Sequence, residues 1–396
     1  MKIKHRVIAG ILALAAIVQT NTGVMAQGAT DNARPQKVET AVKVLHDAEW
    51  YRRQERLWKE ETERNPKNEE AWGNYYRAVN YRSWHENIPD IQERLGAIVN
   101  KMGKAIPDTY TYYIIKFHYT HDAGDCPEMA KAIRMRPDAV EDYPTFISYL
   151  MQADDEATMK EILTKWYDSG EYSSSLLNYA YNELIGLERD AVIFVQGDTP
   201  TFAKLILQYG KGIRPDVTIV NETFWLYNAG YRERIEKKLG LPSFAELVTD
   251  GTYTLNGDSK DVKDVVYRHL IDNTGRPVYF SSLMEMPKFT DKLYSEGLVI
   301  RYSEKPYDNL AMKRRNYEEL YLTDYLRESF APERYPASAT PYSFNYIPCF
   351  KSLLDYYKRS GNIQRYNELR NLMTGIVKSI DVPEEERRKY YEEIDR

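Results

Sequence analysis

Cysteine is almost missing: Cys126 and Cys349 are the only two in 396 residues. So few thiols in so long a chain exclude a disulfide-stapled scaffold. The pair is expected as two separate buried thiols, with core packing supplying the stability. Long apolar runs are absent apart from one at the extreme N-terminus, which excludes an integral membrane bundle. Positive charge is not in surplus, with 54 Lys and Arg against 59 Asp and Glu, so nucleic-acid binding has no electrostatic footing. With 20 Gly and 18 Pro the chain is neither collagen-like nor low in complexity. No Gly-x-Ser-x-Gly elbow, Walker loop or Gly-x-Gly-x-x-Gly fingerprint occurs. What remains is 43% hydrophobic and 29% charged, a globular composition long enough for two or three domains.

The one apolar run reads as an export signal over residues 1–26. Lys2, Lys4 and Arg6 form a positive start, Val7 to Val18 is apolar, and Val24-Met25-Ala26 ends in residues a signal peptidase accepts. The run is too short to span a bilayer comfortably, so cleavage after Ala26 and a periplasmic or otherwise exported location are expected. No Cys lies near that site to carry a lipid anchor. Removing three positive side chains takes the net charge from −5 to −8.

Residues 27–37 are polar and read as a flexible leader. From Val38 to about residue 188 the apolar residues recur at three- and four-residue spacings, which predicts helices. Breaks recur at Pro66, Pro107, Pro137 and Gly170, spaced by 41, 30 and 33 residues. Each Pro is expected in the first turn of the following helix, with a nearby Asn or Asp as cap. Aromatics follow each break, as Trp72, Tyr75 and Tyr76 do the first. The spacing averages about one tetratricopeptide unit, so residues 38–188 resemble degenerate helical-hairpin repeats.

Residues 189–305 change character. Ala191–Val195, Asp216–Asn221, Pro277–Ser281 and Leu298–Tyr302 are short β-rich runs. Helical stretches lie between them, over Thr201–Tyr209, Phe224–Leu239 and Asp258–Asp272. Strands alternating with helices predict a small three-layer α/β domain on a parallel sheet. Residues 306–396 return to helix: Leu310–Phe330, then a Pro-rich wrapping loop over Ala331–Pro348. A helix pair follows at Ile347–Ser360 and Ile363–Ile380, and a last helix opens at Pro383. The fold expected is thus α/β plus all-α.

Four segments carry a resemblance. Gly197-Asp198-Thr199-Pro200-Thr201-Phe202 is similar to a Gly-Asp-Asn-Asp-Thr-Phe loop, and Gly212-Ile213-Arg214-Pro215-Asp216-Val217 to a Gly-Ile-Arg-x-Asp-Val strand start. Arg276–Phe280 and Glu296–Arg301 match the next strand and the closing segment. Together they resemble the soluble domain that follows the membrane spans in large bacterial proteins related to protein O-mannosyltransferases. The likeness covers residues 190–302 and implies a fold with a ligand pocket or docking surface. Pro200 stands where that family has a second Asp, and no membrane spans follow the signal, so the likeness carries no glycosyltransferase activity.

In an open α/β sheet the ligand crevice lies beyond the carboxyl ends of the strands. Gly197, Asp198, Thr199 and Thr201 follow the first strand, Asn221 and Glu222 the second, and Ser281 and Ser282 the third. These are the candidate ligand-binding residues. Asp198 and Thr199 equally suit a helix cap, and Gly197 a tight turn. Asp198 with Glu222 is the one candidate carboxylate pair for acid/base work or a divalent cation. Arg214 with Asp216 reads as a loop staple. His118, His121, Asp122, Asp125 and Cys126 lie close in sequence but lack zinc-site spacing, and read as a polar helix end. Ser281-Ser282 has only His269 nearby. Most of the 34 tyrosines are expected between helices. No catalytic residue, metal ligand or cofactor is assigned. The sequence reads as an exported interaction or scaffold protein with a protein or glycan partner in the cell envelope. The alternative is an enzyme acting on a sugar or sugar-phosphate at the strand ends.

Overall fold

Three helices of the first half stop in the same way. Asn65, Ile106 and Arg136 each end a helix at φ −133 to −140° and ψ 58 to 80°, and each precedes a proline. The proline ring drives the residue before it out of the helical region, so the chain must turn there. These prolines therefore close the preceding helix; they do not start the next one, as the sequence reading had it. Asn68 and Thr109 cap the helices that follow, accepting hydrogen bonds from the backbone of Ala71 and Tyr112. The fourth break does use its glycine, Gly170, in the left-handed conformation at φ 63°.

The computed structural model describes residues 34–396 apart from 42, 250–258, 329, 331 and 381. The expected export signal lies outside the described residues. The chain is mostly helical, with one small mixed sheet, and divides into two compact units. Among the described residues no helix is long and apolar enough to cross a membrane.

The first unit holds the described residues up to Glu171 together with Arg334–Ala337. Its helices are α1 (Ala48–Arg64), α2 (Glu69–Arg82), α3 (Ile91–Ala105), α4 (Tyr110–Thr120), α5 (Met129–Met135), α6 (Tyr143–Ala153) and α7 (Glu156–Ser169). Tyr51, Trp58, Trp72, Tyr76, Val79, Leu95, Ile98 and Met102 form one buried cluster among α1, α2 and α3. Removing a large apolar side chain of this kind from water contributes about 2 kcal/mol.

The second unit holds residues 172–333 and 338–396. It contains α8 (Ser174–Ile185), which the sequence reading had grouped with the preceding helices. Then come β1 (Val192–Val195), α9 (Asp198–Lys211), β2 (Thr218–Asn221), α10 (Glu222–Tyr227), α11 (Ala229–Leu239), α12 (Phe244–Thr249) and α13 (Ser259–Thr274). β3 (Val278–Ser281), β4 (Leu293–Ser295) and β5 (Val299–Tyr302) complete the sheet. α14 (Asn309–Arg315), α15 (Pro336–Phe344), α16 (Tyr346–Ser360), α17 (Ile363–Ser379) and α18 (Glu384–Asp395) follow.

Strand order is β2-β1-β3-β5-β4. β1 pairs in parallel with β2 and β3, whereas β5 runs antiparallel to both β3 and β4. The expected all-parallel sheet is thus a mixed one. A parallel pairing after β3 needs a long crossover, usually a helix, and this stretch supplies none. The chain instead turns at Gly297, φ 111°, into a β4–β5 hairpin.

Other boundaries moved for local reasons. The helix expected over 224–239 breaks at Asn228, which ends α10 and caps α11 by accepting from the backbone of Tyr231 at 2.8 Å. The helix expected over 310–330 stops early. α14 widens into a π-helical turn over Asn316–Leu320, closed by a bond from Tyr321 N–H to Asn316 O. The Asn316 side chain is fully buried and donates to Glu296 O at 2.9 Å. The expected wrapping loop contains α15, started by Pro336 at a position where a missing N–H costs nothing. Arg214 does staple its loop: it pairs with Asp216 and also donates to the carbonyls of Leu184, Leu187 and Glu188 at the end of α8. That ion pair holds the Asp216 carboxyl down at about 2.

Candidate functional site

The register brings the strand ends to one rim. Val195 lies beside Asn221, and Phe194 beside Phe280, so Ser281 follows at the height of Val195. Right-handed crossovers to β2 on one side of β1 and to β3 on the other put α9 and α13 on opposite faces. The crevice of such a sheet opens where those directions part.

The side chains at that rim turn toward different faces and different partners. On the α9 face, Asn221 donates to Thr201 Oγ1 at 2.9 Å, and Thr201 donates to Gly197 O at 2.7 Å. The Asn221 carbonyl caps α10 by accepting from Phe224 N–H. Gly197 takes φ 86° to swing the chain from β1 into α9. Ser281 donates to Glu183 at 2.6 Å, and Glu183 forms an ion pair with Lys204 in which both side chains are fully buried. Ser282 sits in a third network, accepting from Asn345 at 2.7 Å close to the Tyr179 hydroxyl.

On the opposite face Glu222 is buried and accepts from the Tyr267 hydroxyl and from Lys263 Nζ, the latter at 2.5 Å. The Tyr267 ring in turn packs against Phe194 and Phe280. The Thr199 carbonyl accepts from Tyr172. Asp198 alone is open to solvent and, among the described residues, without a polar partner. Protein crowded around it pushes its carboxyl up to about 6, although at an exposed position water screens much of that effect.

Gly197, Thr201 and Asn221 therefore come together as a staple. Ser281, Ser282, Glu222 and Asp198 go separate ways, and the Glu222 carboxylate is already occupied by two donors. Glu183, Lys204, Lys263 and Tyr267 complete these networks and were not singled out from sequence. Lys204 did carry a signal, as the one charge in the apolar run Phe202–Leu207.

Elsewhere the early candidates are also engaged. His118 is bonded to Thr145 at 3.0 Å, and burial drives its imidazole down to about 3. His121 ends α4 in the left-handed conformation, φ 53°. Among the described residues no group of three or more His, Cys, Asp or Glu is placed to hold a metal ion. Cys126 and Cys349 are both free and buried. Tyr51, Tyr76, Tyr113, Tyr143, Tyr179, Tyr267, Tyr279, Tyr346 and Tyr357 are each at most 3% exposed, a packing role.

Two hollows lie away from the strand ends. One, of about 530 Å³, is lined by the π-helical turn and α17, with its carboxylates Glu318 and Glu368 held by Tyr357 and Arg365. The other, of about 650 Å³, lies in the first unit between α2, α4 and residues 37–40. The chain before α1 is seated beside it. Gln36 N–H donates to Gln54 Oε1 and Val38 N–H to Asn74 Oδ1, both at 2.7 Å, while Trp58 donates to Gln36 O at 2.8 Å. Gln54 and Asn74 are 1% and 3% exposed, so these amides are built into the helices to read a backbone. Bonds from alternate residues on one side are the mark of an extended chain. The end of the flexible leader expected over residues 27–37 is thus held in place.

No family model matches the chain, and no curated protein and no solved structure matches it.

Proposed function

We propose that the protein is an exported interaction protein of the cell envelope. Its tetratricopeptide-like hairpins hold an extended segment of a partner polypeptide in the groove between α2 and α4. The observation that carries this reading is the seating of Gln36–Val38, whose backbone is held by buried side-chain amides at one end of that groove. A face that already reads main-chain groups independently of side-chain identity is suited to a second extended chain. The strand–helix alternation of residues 190–302 supports a relation to the soluble domain of the O-mannosyltransferase-like membrane proteins, as a docking unit without transferase chemistry. The enzyme reading needs Asp198 and Glu222 free as a pair, and Glu222 is committed to Tyr267 and Lys263.

The test is a photo-crosslinking amino acid at Thr111, which lines the groove, in protein exported by its own host. Discrete polypeptide adducts, lost when the crosslinker is moved to the exposed Lys101, are expected. Adducts to glycan alone, or none at Thr111, would refute a polypeptide partner.

A further inference from the structure

The seated segment forms part of the groove's wall, through Lys37, Val38, Glu39 and Thr40, and leaves the hollow open. One turn beyond Asn74 on the same face of α2 stands Arg77, and Asp142, just before α6, lines the same hollow. Asp142 is 5% exposed. Its Oδ2 accepts from the Tyr110 hydroxyl at 2.7 Å, but Oδ1 stands 3.8 Å from Arg77, too far for a hydrogen bond. Arg77 makes no hydrogen bond among the described residues, although its side chain is only 23% exposed. Arg136, the other guanidinium here, is laid over the Tyr110 ring.

A mostly buried donor and a buried acceptor thus line one hollow side by side as a long ion pair, with no direct hydrogen bond between them. A simple anion at this place meets Asp142, and a simple cation meets Arg77. A neutral group offering an acceptor and a donor together meets both. The N–H and C=O of one extended residue point to the same side and are such a pair. Gln36 is held in that manner a short way along, its N–H by Gln54 and its C=O by Trp58.

We propose that Arg77 and Asp142 form a second backbone-reading station, at which Arg77 donates to the carbonyl and Asp142 accepts from the N–H of one residue in the partner's extended segment. This rests on the peptide-binding reading above. It adds which atoms make the contact and that the contact reads main chain, not side chain.

The test uses the full chain and a labelled, end-blocked octapeptide copying residues 34–41, the one extended sequence the groove is seen to hold, with binding read by fluorescence anisotropy. Saturable binding is expected. Arg77→Met, which keeps the stem but removes every donor, weakens it about tenfold or more, the loss for a hydrogen bond to a charged group. Arg77→Lys keeps the charge facing Asp142 and loses less. N-methylation of alternate amides in the probe removes binding to the unaltered protein, a readout that a structural role for Arg77 does not move. If the unaltered protein binds no probe, the station and the peptide-binding reading both fall. If it binds and both Arg77 variants stay within twofold, the station is overturned while peptide binding stands. If Arg77→Met fails to fold, Arg77→Lys and the N-methylated probe decide. An N-methylated probe that binds as well as its parent overturns main-chain reading, and so does displacement by neutral oligosaccharide but not by unlabelled peptide.

Discussion

Replacing Lys204 by Met measures what holds the sheet-bearing unit in register. Lys204 and Glu183 are both fully buried, and among the described residues the ammonium's only other acceptor is Pro200 O at 3.3 Å. In Lys204→Met the Glu183 carboxylate keeps only the hydroxyl of Ser281. An ion stripped of its partner at such a depth costs about 3–5 kcal/mol, whereas replacing both members by neutral groups is often close to neutral. Glu183→Gln alongside Lys204→Met leaves a neutral acceptor for Ser281 and no buried charge, so the double variant is expected to recover most of the loss. Urea unfolding followed by tryptophan fluorescence is the assay. With a slope of about 3 kcal/mol per molar urea, the single variant's midpoint falls by about 1–1.7 M. A single variant within 0.3 M of the parent, or a double variant as unstable as the single, would falsify the claim that the pair is a coupled buried unit (the 0.3 M bound is about 1 kcal/mol at that slope).

Three further outcomes are expected. The Asp216 carboxyl sits at about 2 because Arg214 holds its charged form, so its contribution to stability is present above its ordinary 3.8 and fades as pH falls through 2. Arg214→Ala should remove that part of the acid sensitivity in thermal melts between pH 2 and 5, and an unchanged pH profile refutes the coupling. Asp198, raised to about 6, has the opposite sign: the fold prefers its protonated form, so stability declines as pH rises from about 4 to 6 and is level above. Asp198→Asn should be slightly more stable than the parent at pH 7 and equal to it at pH 3, and equality at both values counts against the shift. Cys126 and Cys349, buried and each pushed up to about 11, should react with a thiol reagent only after unfolding, both together and without prior reduction. Fewer than two thiols in denaturant would reveal a bridge.

Much of the fold was legible because it rests on local signals. β1, β2, β3 and β5 fall where short β-branched and aromatic runs do, α16 and α17 match their expected bounds within one residue, and α18 opens one residue after Pro383. Asn228 shows where periodicity misleads: the apolar spacing runs on through it, but its side chain caps α11, and a cap outweighs one more helical turn. The antiparallel β5 was hidden for another reason. Pairing direction depends on what connects the strands, and the β4 residues Leu293-Tyr294-Ser295 are too few to announce a hairpin. The rim residues illustrate a limit of position alone. Asn221 and Ser281 were placed correctly at strand ends, yet their partners, Thr201 and Glu183, decide that they staple helices to the sheet.

The groove of the first unit was invisible for a physical reason that bears on its proposed use. Asn74, Arg77 and Asp142 line it, while Gln54 and Trp58 hold the neighbouring Gln36, and these groups come from three elements and from no motif. Gln54 and Asn74 interrupt apolar helix faces, where an unsatisfied amide costs roughly 1–3 kcal/mol, so a buried amide there implies a partner close by. For these two the partner is the chain's own residues 36 and 38. The same inference runs from Asp142 Oδ1 and the Arg77 guanidinium, which belong to residues lining the hollow and make no hydrogen bond among the described residues. A site that reads main chain needs no conserved-looking cluster of catalytic residue types, only polar groups at the spacing of an extended backbone. That spacing appears when α2 and the segment before α6 are packed together, and sequence order does not display it.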